Sequence, residues 1–214
     1  MEKSNNSGLD PARDFVRKII RQIARFLNKV SAGKITPNSV TITGVIAHIP
    51  IAILIATRHN LWAAILLIVF GLFDTLDGEL ARLQKRESVK GMLLDAVTDR
   101  YKEVMLYSGA AYALVAGGSP YIAVWAVIAC GASLSVSYVK AKGETAYLSQ
   151  KHKEVKINNL FKDGLMRFEI RMVVLIIGLL TNYLGAAVII IAIMASFTAL
   201  SRLIKISGKL DVQD

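Results

Sequence analysis

An all-α polytopic membrane protein, with six transmembrane helices preceded by an N-terminal amphipathic interfacial helix, is the fold class this sequence predicts. Three observations carry that reading. Of 214 residues, 54% are hydrophobic, and the mean hydropathy is +0.47, a composition suited to a membrane protein rather than a soluble domain of this length. Apolar runs recur along the chain, each near the ~20 residues that cross a hydrocarbon core. The cations sit in blocks at the ends of those runs: eight before Val40, six in 82–102, eight in 140–171 and three in 202–209, leaving only Arg58. This is the positive-inside pattern, and it places all four blocks on the cytoplasmic side.

The elements follow in order. Residues 1–39 form a cytoplasmic N-terminus. Its opening, MEKSNNSGLDPARDF, is polar and has no apolar signal-peptide core, so the first span is expected to direct its own insertion. In 11–31, Phe15, Ile19, Ile20, Ile23, Phe26 and Leu27 recur at helical spacing with Arg and Lys on the other face. That pattern predicts a helix lying in the interface plane. Asp10 is a suitable N-cap before Pro11. Thr36-Pro37-Asn38-Ser39 ends that helix and starts the next.

Spans are predicted at about 40–57, 61–83, 89–116, 120–141, 167–182 and 184–204. Together they make a transmembrane domain over 40–206, followed by a cytoplasmic tail, 207–214. The outer links are short: Arg58-His59-Asn60, Gly117-Gly118-Ser119 and the stretch around Asn182. The largest cytoplasmic loop, about 143–165, is polar. Spans 2 and 3 are apolar only in their outer halves, which predicts a polar cavity open to the cytoplasm. The single Cys130 excludes a disulfide framework and a cysteine metal site. His48 reads as a packed helix-interior histidine.

The net charge of +10 does not point to nucleic acid, because no nucleic-acid-binding motif interleaves the cations. Blocks at span ends face anionic headgroups and anionic substrates instead.

The chemistry is concentrated in Gly71–Asp99, GLFDTLDGELARLQKRESVKGMLLDAVTD. Asp74 and Asp77 are three apart and Asp95 and Asp99 four apart, so on helices each pair shares one face. Acids in membrane segments are costly and mark function. Asp74, Asp77, Gly78 and Ala81 make one stripe with Arg82 at its edge; Gly91, Asp95 and Asp99 make another. Carboxylates are hard ligands that suit Mg²⁺ or Mn²⁺. Two such ions would bridge a pyrophosphate for an in-line displacement. One carboxylate has to accept a proton from an incoming hydroxyl, and Arg82 has the fork geometry for phosphate oxygens. Intramembrane carboxylates also mark ion-coupled transporters, but that class predicts midplane acids and a polar route across. Here the acids cluster at one end.

Asp74-Thr-Leu-Asp77-Gly78-Glu-Leu-Ala81-Arg82, eight residues, then Gly91-Met-Leu-Leu-Asp95-Ala-Val-Thr-Asp99 resembles the CDP-alcohol phosphotransferase signature D-x-x-D-G-x-x-A-R-x(n)-G-x-x-x-D-x-x-x-D at every fixed position. The resemblance implies an enzyme of phospholipid synthesis. A CDP-linked lipid, CDP-diacylglycerol or its archaeal ether counterpart, is attacked at the lipid-bearing phosphate by a polar alcohol, and CMP leaves. It implies two Mg²⁺ or Mn²⁺ ions on Asp74, Asp77 and Asp95. Asp99 is then the general base, also touching metal, and Gly78, Ala81, Arg82 and Gly91 line the CDP-lipid site. It further implies a homodimer in the plasma membrane with its active site facing the cytoplasm.

Ser137-Tyr138-Val139-Lys140-Ala141-Lys142-Gly143-Glu144 is similar to the S-Y-x-K/R-A-R-A-E stretch of family members that use inositol phosphate, with Lys142 and Gly143 where that stretch has Arg and Ala. This implies that Lys140, with Arg167 and Arg171, holds the acceptor's phosphate, a setting in which Lys and Arg are suitable partners. Glycerol 3-phosphate is the alternative acceptor.

Overall fold

The computed structural model describes residues 10–150 and 166–210. The opening nine residues, most of the predicted 143–165 loop and the last four residues of the predicted tail lie outside the described residues. Every regular element among the described residues is a helix: α1 Asp10–Val30, α2 Pro37–Ala56, α3 Asn60–Gly71, α4 Phe73–Gln84, α5 Val89–Ala116, α6 Pro120–Gln150, α7 Phe168–Leu180 and α8 Leu184–Leu210.

Among the described residues, four stretches are long and apolar enough to cross a membrane: Pro37–Ala56, Asn60–Gln84, Pro120–Ala146 and Leu184–Gly208. The second joins α3 to α4, which part at Leu72. Leu72 keeps right-handed helical dihedrals (φ −75°, ψ −17°), so the break behind Gly71 is a local irregularity in one continuing rod. Two of the six predicted spans fall short of the same measure for different reasons. The 28-residue α5 carries charge along its first half, and α7 has only 13 residues.

The chain divides into two compact units, one drawn from residues up to Ile49 and from Leu66–Lys102, the other from Pro50–Ile65 and from Glu103 onward. In the first unit, α1 packs on α4. Ile20 and Ala24 of α1 close on Leu76 and Leu80 of α4, with Val40 completing a buried cluster. Polar contacts brace that apolar seam. Buried Glu79 accepts from Arg21 Nε (3.2 Å) and Arg82 Nη2 (2.8 Å), while Gln84 Nε2 donates to Asn28 Oδ1 and to the Ile35 carbonyl, both at 2.8 Å. Ile19, Ile23, Phe26 and Val30 of α1 remain exposed.

The start of α2 follows from its sequence. The Ser39 amide donates to Thr36 Oγ1 (3.2 Å) and the Thr36 amide to Ser39 Oγ (3.1 Å). This reciprocal cap leaves Pro37 at the first helical position, where it has no amide to satisfy. His48 is buried, with Nδ1 2.7 Å from the Gly44 carbonyl, a satisfied helix-interior histidine as its position predicts.

In the second unit, α6 and α7 both pack on α8. The buried faces are rows of small residues: Ala123, Ala126, Ala129, Ala132 and Ser133 on α6, and Ala187, Ala192, Ala195 and Ala199 on α8. Without a hydrophobic drive between helices in lipid, such rows favour association by letting backbones approach closely. Gly178 shows how closely: a Cβ there would lie 2.3 Å from Ala187 Cβ. Tyr107 of α5 pairs with Ser133 Oγ of α6 (3.1 Å).

Candidate metal centre

The acidic centre lies wholly within the first unit. Asp74 and Asp77 stand on α4, and Asp95 and Asp99 on α5. Helical periodicity aligns each pair, and the local sequence fixes where each helix begins and ends. Ser88 caps α5 by accepting from the Gly91 amide (3.0 Å). Lys85 ends α4 in the left-handed region (φ 52°), and the chain turns there through Arg86 N–H to Ala81 O (2.9 Å).

The turn folds α5 back so that one carboxylate oxygen each from Asp74, Asp95 and Asp99 lies within 4.8 Å of the others. All three residues are partly buried. Asp95 Oδ1 is buried with no hydrogen-bond partner. An orphaned carboxylate oxygen among two other carboxylates is an acceptor set that fits a hard divalent cation, since buried polar atoms otherwise find partners.

Asp77, expected in the same ligand set, is not among the three whose oxygens converge within 4.8 Å. It is 7% exposed, and its Oδ2 accepts a 2.6 Å hydrogen bond from Thr41 Oγ1 of α2. Thr41 thus holds one oxygen of the Asp77 carboxylate, and the other oxygen is outside that bond.

The lining residues are also visible. Gly78 leaves room, since a Cβ there would meet nothing nearer than Arg82 Nη2 at 3.7 Å. Gly91 is tighter: a Cβ would meet Ser88 Oγ at 3.2 Å and Asn38 Oδ1 at 3.6 Å. Ala81 is half-buried and Arg82 exposed, with one guanidinium nitrogen on Glu79.

Lys102 was not anticipated. Its side chain is 1% exposed, and its ammonium donates to Asp74 Oδ1 and, at 3.1 Å, to Asp99 Oδ1. The signal was available in the spacing, because Lys102 follows Asp99 by three residues on the stripe of Asp95. Thr41 had no such signal, lying 36 residues from Asp77.

The three predicted acceptor cations belong to the second unit. Lys140 is exposed and 3.8 Å from Glu144 Oε1. Arg167 is exposed in extended conformation (φ −68°, ψ 165°) as the residue before α7. Arg171 is 1% exposed. Its Nη2 donates to Glu103 Oε1 (2.7 Å) and its Nη1 to the Met166 carbonyl (2.7 Å). Each terminal nitrogen of the guanidinium, expected at the acceptor's phosphate, thus makes one bond inside the protein.

Residues 34–200 match the family described as CDP-alcohol phosphatidyltransferase. The phosphatidylinositol phosphate synthase of Corynebacterium glutamicum is 36% identical over 131 residues, 60% of this chain and 58% of that protein. The match thus spans less than two thirds of that relative's length. The archaetidylinositol phosphate synthase of Methanothermobacter thermautotrophicus is 26% identical over 216 residues, covering 98% of this chain and all of that one. Among solved structures, the phosphatidylinositol phosphate synthase of Mycobacterium tuberculosis with CDP-DAG bound superposes with a TM-score of 0.74 at 24% identity, over 88% of this chain and 94% of that one. The same protein in complex with manganese and citrate gives 0.73. At that identity, the likeness speaks for the fold.

Proposed function

We propose, since this chain belongs to the CDP-alcohol phosphatidyltransferase family, that it transfers the phosphatidyl-type group of a CDP-linked lipid to inositol phosphate and releases CMP. The observation that carries the proposal is the convergence of Asp74, Asp95 and Asp99 oxygens within 4.8 Å, from two helices that together hold every fixed position of the signature. Two sequence relatives named for inositol phosphate lipid synthesis support the choice of acceptor.

Asp74, Asp95 and Asp99 would hold Mg²⁺ or Mn²⁺, with Asp77 beside them on Thr41; a relative of the same fold was solved with manganese. Bound there, the metal supplies positive charge to the diphosphate. The protein's own groups do the rest. The acceptor hydroxyl forms a new P–O bond at the lipid-bearing phosphorus while the bond from that phosphorus to the CMP oxygen breaks. Asp99 takes the hydroxyl proton. Gly78 and Ala81 leave space for the CDP moiety, Gly91 lines it, and Arg82 reaches the diphosphate with the guanidinium edge not given to Glu79. Lys140 and Arg167 hold the acceptor's phosphate. Arg171 serves that clamp from within, fixing the chain at Met166 and so the position of Arg167.

In this reading the protein is a six-span enzyme of the plasma membrane, acting as a homodimer. Residues 1–39 lie at its cytoplasmic face, with α1 in the interface plane, 40–206 form the catalytic domain and 207–214 the tail. The four basic blocks support a position for the aspartates just beneath cytoplasmic headgroups.

The test is CMP release by purified protein given CDP-diacylglycerol, Mg²⁺ and single candidate alcohols. Release with inositol phosphate and little with inositol is expected. Preferential release with glycerol 3-phosphate would reassign the acceptor, and release with no alcohol would overturn the transfer reading.

A further inference from the structure

Lys102 has no part in the chemistry above, yet it sits in the middle of it. Its ammonium is bonded to Asp74 and Asp99, two of the three carboxylates that converge. The third, Asp95, keeps a buried oxygen with no hydrogen-bond partner. A fully buried ammonium is costly unless paired, so Lys102 depends on those two partners. Four aspartates crowded on two helices equally need positive charge.

A divalent ion binds carboxylate oxygen at about 2.1 Å and takes the lone pairs that an ammonium would use. Two cations within about 4 Å of each other, partly shielded from water, also repel strongly. The Asp74 and Asp99 oxygens therefore cannot serve the ammonium and the metal equally well.

We propose that Lys102 is a built-in counter-cation that competes with divalent metal for Asp74 and Asp99, so that metal entry displaces its ammonium from them. The inference rests on the reading of the trio as a metal site and adds a regulator of its affinity. Lys102 holds the carboxylates together when metal is scarce, at the cost of weaker metal binding.

The experiment titrates EDTA-treated full-length protein in detergent with Mn²⁺ and reads free Mn²⁺ by electron paramagnetic resonance. Lys102→Met keeps the bulk of the stem and removes the charge. It should lower the Mn²⁺ Kd by about tenfold or more, because displacement no longer breaks charge-assisted bonds. Lys102→Arg, which keeps the charge, should stay within about threefold of wild type. A merely structural lysine would lower stability in both variants and tighten Mn²⁺ binding in neither. If Lys102→Met unfolds after EDTA treatment, Mn²⁺ restoring the fold supports the proposal, and failure at saturating Mn²⁺ overturns it. An unchanged or weaker Kd in Lys102→Met also overturns it. With metal-dependent CMP release intact in wild type, that result sinks this inference alone. A wild type that binds no Mn²⁺ sinks the metal-site reading as well.

Discussion

Replacing Arg171 by Met tests whether this residue is an internal anchor or a phosphate ligand. The guanidinium and Glu103 are 1% and 0% exposed and meet at 2.7 Å. Removing one partner of a buried pair leaves a desolvated charge and costs about 3–5 kcal/mol. The lost bond to the Met166 carbonyl adds about 1 kcal/mol. Arg171→Met should therefore be destabilised by about 4–6 kcal/mol, a large share of ordinary stability. Glu103→Leu combined with Arg171→Met removes both charges and should recover most of the loss, since apolar replacement of a buried pair is often neutral. Thermal unfolding in detergent, followed by circular dichroism, reads the difference. A single variant within about 1 kcal/mol of wild type, or a double variant as unstable as the single, would refute the argument. A double variant that folds but has lost only its affinity for inositol phosphate would return Arg171 to the phosphate.

Three further outcomes follow from the site. Asp99→Asn should lower CMP release by about 10²–10⁴-fold, the contribution of a positioned base, while CDP-lipid binding with Mg²⁺ survives; turnover near wild type would remove the base assignment. Lys140→Ala and Arg167→Ala should raise KM for inositol phosphate far more than KM for the CDP-lipid, and equal effects on both would dissolve the clamp. Thr41→Val removes the 2.6 Å bond to Asp77, a charge-assisted contact worth about 1.5–3 kcal/mol. CMP release should fall by about tenfold or more with the fold retained, and an unchanged rate would mean Asp77 needs no such support.

The reach of the sequence is clearest on α4 and α5. Both acidic pairs sit within single helices, so fixed periodicity places them on shared stripes without knowledge of packing. Helix starts were legible where a side chain caps its own neighbours, as Thr36 and Ser39 do. The convergence of the two pairs was inferred from charge cost, because the turn through Lys85 leaves no obvious sequence mark: a lysine there is an unexpected left-handed residue. Distant partners were hidden for the same reason. Glu103 and Arg171 are 68 positions apart, and Arg171 was expected at the acceptor's phosphate. Glu79 falls between the fixed positions of the motif and carried no assigned partner. Arg21 and Arg82 proved to be partners, and the residue itself is 4% exposed. Span number was also read beyond what apolar length alone supports. The charged start of α5 and the brevity of α7 leave, among the described residues, four stretches that meet the apolar measure, and the other two rest on charge placement and family architecture.

The central claim is that the aspartates of α4 and α5 grip one shared cation centre. Crystals of the protein grown with Mn²⁺ and CDP-diacylglycerol, with data collected at the manganese edge, test it most directly. The account predicts an anomalous peak about 2.1 Å from oxygens of Asp74, Asp95 and Asp99, lost in Asp95→Asn. A manganese peak elsewhere, with these three carboxylates turned away from one another, would contradict it.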